Sequence, residues 1–356
     1  MTNLKTQGFI LLDVDVVALN NAGKNDRSNF DNAVATKKIY KNGKSYVYVS
    51  GQAWRYWWRE SLQKNMDWTM SPITRENKIA FTDANPIDYP DDDVFGYMRA
   101  ATEKTTDDKG KTKSTNITVT RVSPLKNSAI ISVTSVNPAE NWSSMARQEG
   151  DAVPYSKQEY SAVMKGMFSL DLNMVGTFSN YNKTGYVNLS EQLKKEAIEK
   201  GCQEVEDSYV KTSDGKAAKL VQLPKDIRKK RIVDAVSALK YISGGAMQTN
   251  NMGDVTPKFI ILATTTTGNH PFSGVVRTYG ERDEQFQLNV NGIREIIKEY
   301  KETFAGKIFI GIRSGFFEDS LPELNKLKDE FSDMVELCPV NAAIDQYCEQ
   351  VKEQVN

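Results

Sequence analysis

The chain has 356 residues, 39% of them hydrophobic, with 46 basic and 46 acidic side chains. That length allows one large domain or two and a sizeable core. A formal net charge of zero excludes a protein coated in positive field. It leaves nucleic-acid binding open, because binding follows from where charge is placed.

In chain order, residues 9–17 read as a strand with Ile10, Leu12, Val14 and Val16 toward a core and Asp13 and Asp15 away from it. A polar loop follows over residues 20–26. The short strand 46–49 leads into a helix opened by Ser50-Gly51-Gln52-Ala53-Trp54-Arg55-Tyr56-Trp57-Trp58-Arg59-Glu60. Ser50 is placed to cap it. Ala53, Trp54, Trp57, Trp58 and Leu62 recur at helical spacing and form one broad apolar face. Arg55 and Arg59 are four apart, so both guanidinium groups leave the same side of the helix. Two Arg forks beside an aromatic face suit the gripping of phosphates. The plainer reading is a surface helix whose arginines meet water or carboxylates.

Residues 91–100 suggest a short helix with Asp91, Asp92 and Asp93 where the dipole favours acids. Residues 103–116 are poor in hydrophobes and read as a mobile loop. Residues 129–136 and 167–175 read as strands, the second with Phe168, Leu170, Leu172 and Met174 on one face. Residues 137–159, with Trp142 and Met145, read as irregular. Helices are expected over 190–201 and 224–243, the second with Pro224 in its first turn and stopped by Gly244-Gly245. A buried strand 259–263, a helix 292–304, a strand 307–313 and two terminal helical pieces complete the chain. Interleaved strands and helices with long insertions predict an α+β fold whose sheet is covered on one face by helices.

Chemistry-bearing constellations are few. The cysteines, Cys202, Cys338 and Cys348, are odd in number and far apart, with neither a disulfide framework nor zinc spacing, which fits a reducing, cytoplasmic setting. No segment approaches ~18 consecutive apolar residues and the N-terminus lacks a signal-like apolar run, so no membrane association is expected. The one histidine, His270, precedes Pro271 after a strand end and reads as a turn residue rather than a base. Asp83, Asp88, Asp91, Asp92 and Asp93 are the densest acids. They could serve a divalent metal in phosphodiester cleavage, but a solvated loop and helix start is the simpler reading. Lys165-Gly166-Met167-Phe168 matches only the beginning of an RNA-recognition strand motif. The basic run Lys225-Asp226-Ile227-Arg228-Lys229-Lys230-Arg231 reads as a solvated first turn. Gly244 and Gly245 either stop a helix or let the backbone approach a ligand, since glycine leaves amides unshielded.

Five segments together, in order and spacing over residues 9–262, resemble the backbone subunit of type I CRISPR effector complexes (Cascade), in its DevR-like type I-B branch. They are Leu19-Asn20-Asn21-Ala22-Gly23; the Ser-x-Gln-x-x-basic-x-x-Trp-Arg pattern at residues 49–59; Asp93-Val94-Phe95-Gly96-Tyr97-Met98; the strand 166–175; and residues 239–261, where the double glycine and Gln248-Thr249 precede Pro257. The resemblance implies a palm of RNA-recognition-motif (ferredoxin-like) fold spanning the chain, with fingers inserted near 65–118 and a thumb hairpin near 122–163. It implies a non-catalytic subunit without cofactor or metal. Copies of such a subunit stack along one guide crRNA with other Cascade subunits, and the guide pairs with target DNA. By the same resemblance, Arg55 and Arg59, helped by Ser50 and Gln52, would hold guide phosphates. Asn20 and Asn21 would sit near the RNA. Gly244, Gly245, Gln248 and Thr249 would cradle it. Trp142 and Met145 would mark the thumb tip, where an apolar side chain wedges between bases; the alternative for Trp142 is an anchor in the protein's own core. Two other functions stay in view: metal-dependent RNA cleavage by Asp91, Asp92 or Asp93, as in type III relatives, and general single-stranded RNA binding.

Overall fold

The computed structural model describes residues 3–25, 32–76, 79–106, 112–145, 149–181, 187–281 and 284–355; the side chains of 101–117 and of Met145 lie outside that description. At its centre is the strand Lys5–Val17. It pairs antiparallel with Val153–Asp171 on one side, starting at Lys5↔Asp171, and with Phe259–Thr265 on the other. The sheet continues outward from Phe259–Thr265 to Ile308–Ile312 and then, in parallel, to Val335–Cys338. In the other direction Val153–Asp171 is followed by Ile130–Ser132, Lys44–Val49 and Lys38–Lys41. The architecture is mixed α+β, built on this large, mostly antiparallel sheet. The helices are α1 (Gly51–Asn65), α2 (Pro90–Phe95), α3 (Glu191–Glu199), α4 (Lys225–Ser237), the single turn α5 (Gln248–Asn251), α6 (Val290–Glu299), α7 (Leu321–Glu330) and α8 (Val340–Gln354).

Alternation along the central strand divides the core in two. Ile10, Leu12 and Val14 face a cluster with Trp54, Trp57 and Trp58 of α1, Ile232 of α4 and Tyr347 of α8. Phe9 and Leu11 face a second cluster with Ile293 and Ile297 of α6 and Leu324 and Leu327 of α7. The sheet is therefore covered on both faces, not one. An all-apolar run such as Phe9-Ile10-Leu11-Leu12 is what burial on both sides requires. Each fully buried aliphatic or Phe side chain here contributes about 1.5–3 kcal/mol. Val16 departs from the expected alternation. It sits in a bulge with φ of 46° and is 53% exposed, while Val17 turns back into the core.

Three other segments differ from the sequence reading. Tyr97–Thr106 pairs antiparallel with Thr112–Arg121, where the sequence predicts a helix as far as residue 100 and a loop over 103–116. Ala139–Met145 is a strand paired with Val153–Glu159, not irregular chain. A short strand, Val335–Cys338, separates the two terminal helices. Among its described side chains Ala139–Met145 has none buried, so it does not impose the alternation that would reveal it.

The acids and the basic run also depart from their expected solvated state. Asp91, Asp92 and Asp93 do begin α2, but they are buried. Asp91 accepts the Ser71 amide at 2.9 Å, and Asp92 the Asn85 amide at 2.9 Å. Asp93 pairs with Arg121 from the 97–121 hairpin and with Arg231 of α4, at 2.7 Å for the latter, and accepts the Gly176 amide. Arg228 and Arg231 are buried too. Arg228 donates to the Val175 and Leu172 carbonyls, and Arg231 also reaches Pro86 and Ile87. Buried charges persist only when paired and hydrogen-bonded, and Asp93 with Arg121 and Arg231 meets both conditions.

Asp93→Ala would leave two guanidinium groups buried without their counter-charge. Chemical denaturation should show a loss of about 3–5 kcal/mol; a loss below about 1 kcal/mol would contradict the central role given to this carboxylate.

Candidate nucleic-acid interface

α1 forms as its sequence predicts. The Ser50 hydroxyl accepts the Ala53 amide at 3.3 Å as N-cap, and Trp54, Trp57, Trp58 and Leu62 fill one face. Trp54 and Trp58 stack with centroids 5.4 Å apart, and Phe168 meets Trp58 edge-on at 5.1 Å. The Trp58 indole donates to the Ala235 carbonyl of α4 at 2.7 Å. The Asn20 side chain accepts the Ser50 amide at 2.8 Å, so Asn20 fixes the entry to the helix. Asn21 begins a short strand, Asn21–Lys24, which replaces the expected loop up to Asn25; residue 26 lies outside the described residues. Gln52 is exposed.

The two arginines do not stand side by side in water. Arg55 donates to the carbonyls of Leu125 and Phe95, each at 2.7 Å, to Asn127 at 3.0 Å and to the Ser123 hydroxyl at 2.9 Å. Four of its five donors are thus committed to the chain itself. Burial first, and the like charge of Arg59 second, push its pKa down to about 10. Arg59 lies over the Phe95 ring at 4.1 Å. Burial lowers its pKa as well, and the carboxylates of Asp91 and Asp92 oppose that shift. Gly51, Gln52, Arg55, Ser123, Lys126 and Asn127 border an open groove beside this cluster.

On the other flank of α1 lies the double glycine. Gly245 has φ of 114°, a conformation that favours glycine. A Cβ on Gly244 would lie 2.3 Å from the Trp57 ring, and one on Gly245 would lie 2.5 Å from Leu19. The glycines therefore serve close backbone approach, and the Ala246 amide donates to Leu19 at 3.0 Å. Gln248 turns inward, donating to the carbonyls of Gly244 and Gly253. Thr249 is exposed, and Met252 beyond it is 89% exposed. Asn20, Ser50, Gly244, Gly245 and Gln248 thus gather around one end of α1.

Trp142 lies apart from them, on the hairpin, opposite Ser156. It is 67% exposed, so it is not a core anchor. It sits within the paired stretch. Met145, three residues on, is the last paired residue before the turn, and its side chain lies outside the described residues. One buried carboxylate, not singled out in the sequence, joins this hairpin to the glycine segment. Glu159 pairs with Lys157 at 2.7 Å and accepts from Asn141 at 2.9 Å and from Asn251 of α5. Asn251 also donates to the Val16 carbonyl at 2.6 Å, inside the bulge of the central strand. Burial alone would raise the Glu159 pKa, but bonds from Lys157, Asn251 and Asn141 outweigh it and hold it below the usual range. The sequence signal for this cluster is the Asn250-Asn251 pair after the double glycine.

His270 is a turn residue. Its Nε2 lies 2.9 Å from the Gly8 carbonyl, and burial pushes its pKa down, consistent with a neutral ring that donates from Nε2. No group of three metal-ligating side chains occurs among the described residues.

The family model described as CRISPR-associated negative auto-regulator DevR/Csa2 matches residues 12–284. The chain belongs to the DevR/Csa2 family. In fold it is similar to a chain of a "CRISPR RNA-guided surveillance complex", with a TM-score of 0.50 at 8% identity over 98% of this chain and 99% of that one. A chain of a "CRISPR RNA-guided surveillance complex, pre-nicking" aligns with a TM-score of 0.48 at 7% identity over 97% and 99%. No curated protein matches the sequence. Among the described residues, no helix of this DevR/Csa2 family member is long and apolar enough to cross a membrane.

Replacing Arg55 by Ala would remove the side-chain donor to the Phe95 carbonyl and leave the Leu125 carbonyl to the Ser123 hydroxyl. Thermal or urea unfolding should show a loss of about 1–3 kcal/mol whether or not RNA is present. Because the Glu159 pKa is depressed on folding, its contribution is full above the ordinary carboxylate value of 4.5 and is lost as pH falls through the lower folded value. Amide protection factors in Ala139–Met145 and Val153–Glu159 should therefore fall in acid, and Glu159→Gln should show that lower protection already at neutral pH. Equal protection in both proteins at both pH values would rule out this anchoring role.

Proposed function

We propose that the chain is a guide-RNA-binding backbone subunit of a type I, DevR-like CRISPR effector complex. The observation that carries the reading is Trp142. A large indole stands in water on a hairpin that is a continuation of a central strand, and the Glu159 cluster braces it against the glycine segment. An exposed aromatic on a stiff arm suits insertion beside an RNA base, where stacking offsets the cost of unstacking. The hairpin is the thumb in this reading. The central sheet is the palm of RNA-recognition type, and the elements around 65–118 are the fingers. Asn21, Gln52 and Thr249 line the guide's path at the end of α1, and Asn20, Ser50, Gly244, Gly245 and Gln248 shape it from behind. Arg59 supplies positive charge, and Arg55 acts by fixing the groove wall. Successive copies stack along the crRNA with other complex subunits in the cytoplasm, and base pairing of the guide reads target DNA.

Membership in a CRISPR-associated family supports this reading. The burial and internal bonding of Asp91, Asp92 and Asp93 support a non-catalytic role, since each carboxylate already has partners in the fold.

Co-expression with a repeat–spacer RNA and the neighbouring subunits, followed by native mass spectrometry, should give a discrete particle whose copy number of this chain rises with spacer length. A monomer free of RNA, or RNA cut into pieces, would overturn the reading. Trp142→Ala should keep the melting temperature of the free chain and weaken its hold on guide RNA by about 1–3 kcal/mol.

A further inference from the structure

A second cationic feature lies on the sheet face turned away from α1. Lys165 pairs across the sheet with Leu11 and Ile131, and Leu11 belongs to the core beneath α6 and α7. Its neighbour Gly166 faces Trp54 of α1. Strand alternation therefore sends the Lys165 side chain to the opposite face. There it lines a cleft with Lys41 and Arg277, and Asn42 and Ser132 add polar groups. Among the described residues that line this cleft there is no carboxylate. Lys165 is half-buried, and burial first, then the like charge of Lys41, lowers its pKa. Neither neighbouring wall is loose. Lys44, at the turn beside Lys41, donates to the Glu281 carbonyl at 3.1 Å, which links that turn to the hairpin carrying Arg277. Tyr279, two residues from Arg277 and on the same strand face, is 47% exposed.

Lys41 and Lys165 repel each other, Arg277 lines the same cleft, and with no carboxylate among its described lining residues an anion would relieve that repulsion. We propose that the cleft formed by Lys41, Lys165 and Arg277 binds a phosphodiester of a single-stranded nucleic acid. This strand runs on the face opposite the guide path at the end of α1. The exposed Tyr279 ring beside Arg277 favours a nucleic acid over an acidic peptide, since interleaved cations and aromatics hold both backbone and base. The inference rests on the reading of the chain as a nucleic-acid-binding subunit and adds a second track to it.

The test is fluorescence anisotropy of labelled single-stranded RNA and single-stranded DNA against the purified full chain, as wild type, as Lys165→Gln with Arg277→Gln, and as Arg277→Gln alone. Arg277 is exposed, so the single variant preserves the fold even where the double variant does not. The double variant should bind about tenfold more weakly, and its salt slope should fall by roughly 0.7 for each phosphate that is no longer neutralised. The single variant should fall between the two. The nucleic acid whose binding drops more is the source of the strand. Unchanged affinity and slope in both variants, with the wild type binding, would overturn this inference and leave the guide-binding reading intact. Weakened assembly with a partner protein at unchanged nucleic-acid affinity would likewise overturn it, in favour of an acidic protein face. A wild-type chain that binds neither nucleic acid, alone or within its co-expressed complex, would overturn both.

Discussion

The carboxylate of Asp93 is the point on which the surroundings of α1 depend. It lies in a helix of six residues, too short to hold itself together. Arg121 and Arg231 reach it from a hairpin and from α4, and the Gly176 amide reaches it from the turn after the longest strand. Four chain segments thus meet on two oxygens. The end of that same short helix presents the Phe95 carbonyl to Arg55 and the Phe95 ring to Arg59. The position of both guanidinium groups on α1 is therefore inherited from a charge cluster that itself touches no solvent. Such a cluster adds little net stability compared with a well-packed apolar core, but it has one satisfied arrangement, which fixes geometry.

Much of this fold is legible because it obeys a period. The apolar residues of α1 recur every third or fourth position, and Trp54, Trp57, Trp58 and Leu62 are all buried. The helices that begin at Glu191 and Val290 are visible for the same reason, and the strands expected over 9–17 and 259–263 are visible through their apolar runs. What is not legible is the fate of charge. Arg228 and Arg231 look like surface residues among lysines, and Asp91 to Asp93 look like a solvated helix start. Asp93 and Arg231 find each other across 138 residues of sequence, Arg228 finds backbone carbonyls more than 50 residues away, and Asp91 and Asp92 accept amides from the loops before their helix. No local pattern encodes a partner that distant. The strand Ala139–Met145 is hidden for the opposite reason, since a strand with no buried side chain among those described needs no apolar alternation.

At the candidate interface the sequence identifies the right segments and misjudges some of the parts. The double glycine does approach other backbone, but its immediate neighbours are Trp57 and Leu19 of the protein itself. Gln248 braces its own loop. Arg55 braces a wall. Residues of this kind shape a surface from behind, and they carry the same sequence signature as residues that touch a ligand. The distinction rests on which donors are already occupied. Trp142 has two even readings in the sequence, and its exposure removes the core-anchor one.

The placement of the central strand has a further consequence for how the chain is made. Lys5–Val17 is synthesised well before either of its partners, Val153–Asp171 on one side and Phe259–Thr265 on the other. Between those times it is a strand with an apolar run, Phe9-Ile10-Leu11-Leu12, and two unpaired edges, the kind of segment that recruits a foreign strand. Contacts so distant in sequence close slowly. Folding of this subunit is therefore largely post-translational with respect to its own core. Rapid synthesis through the middle of the chain, or shelter of this strand by a chaperone, should govern how much of it reaches the native state.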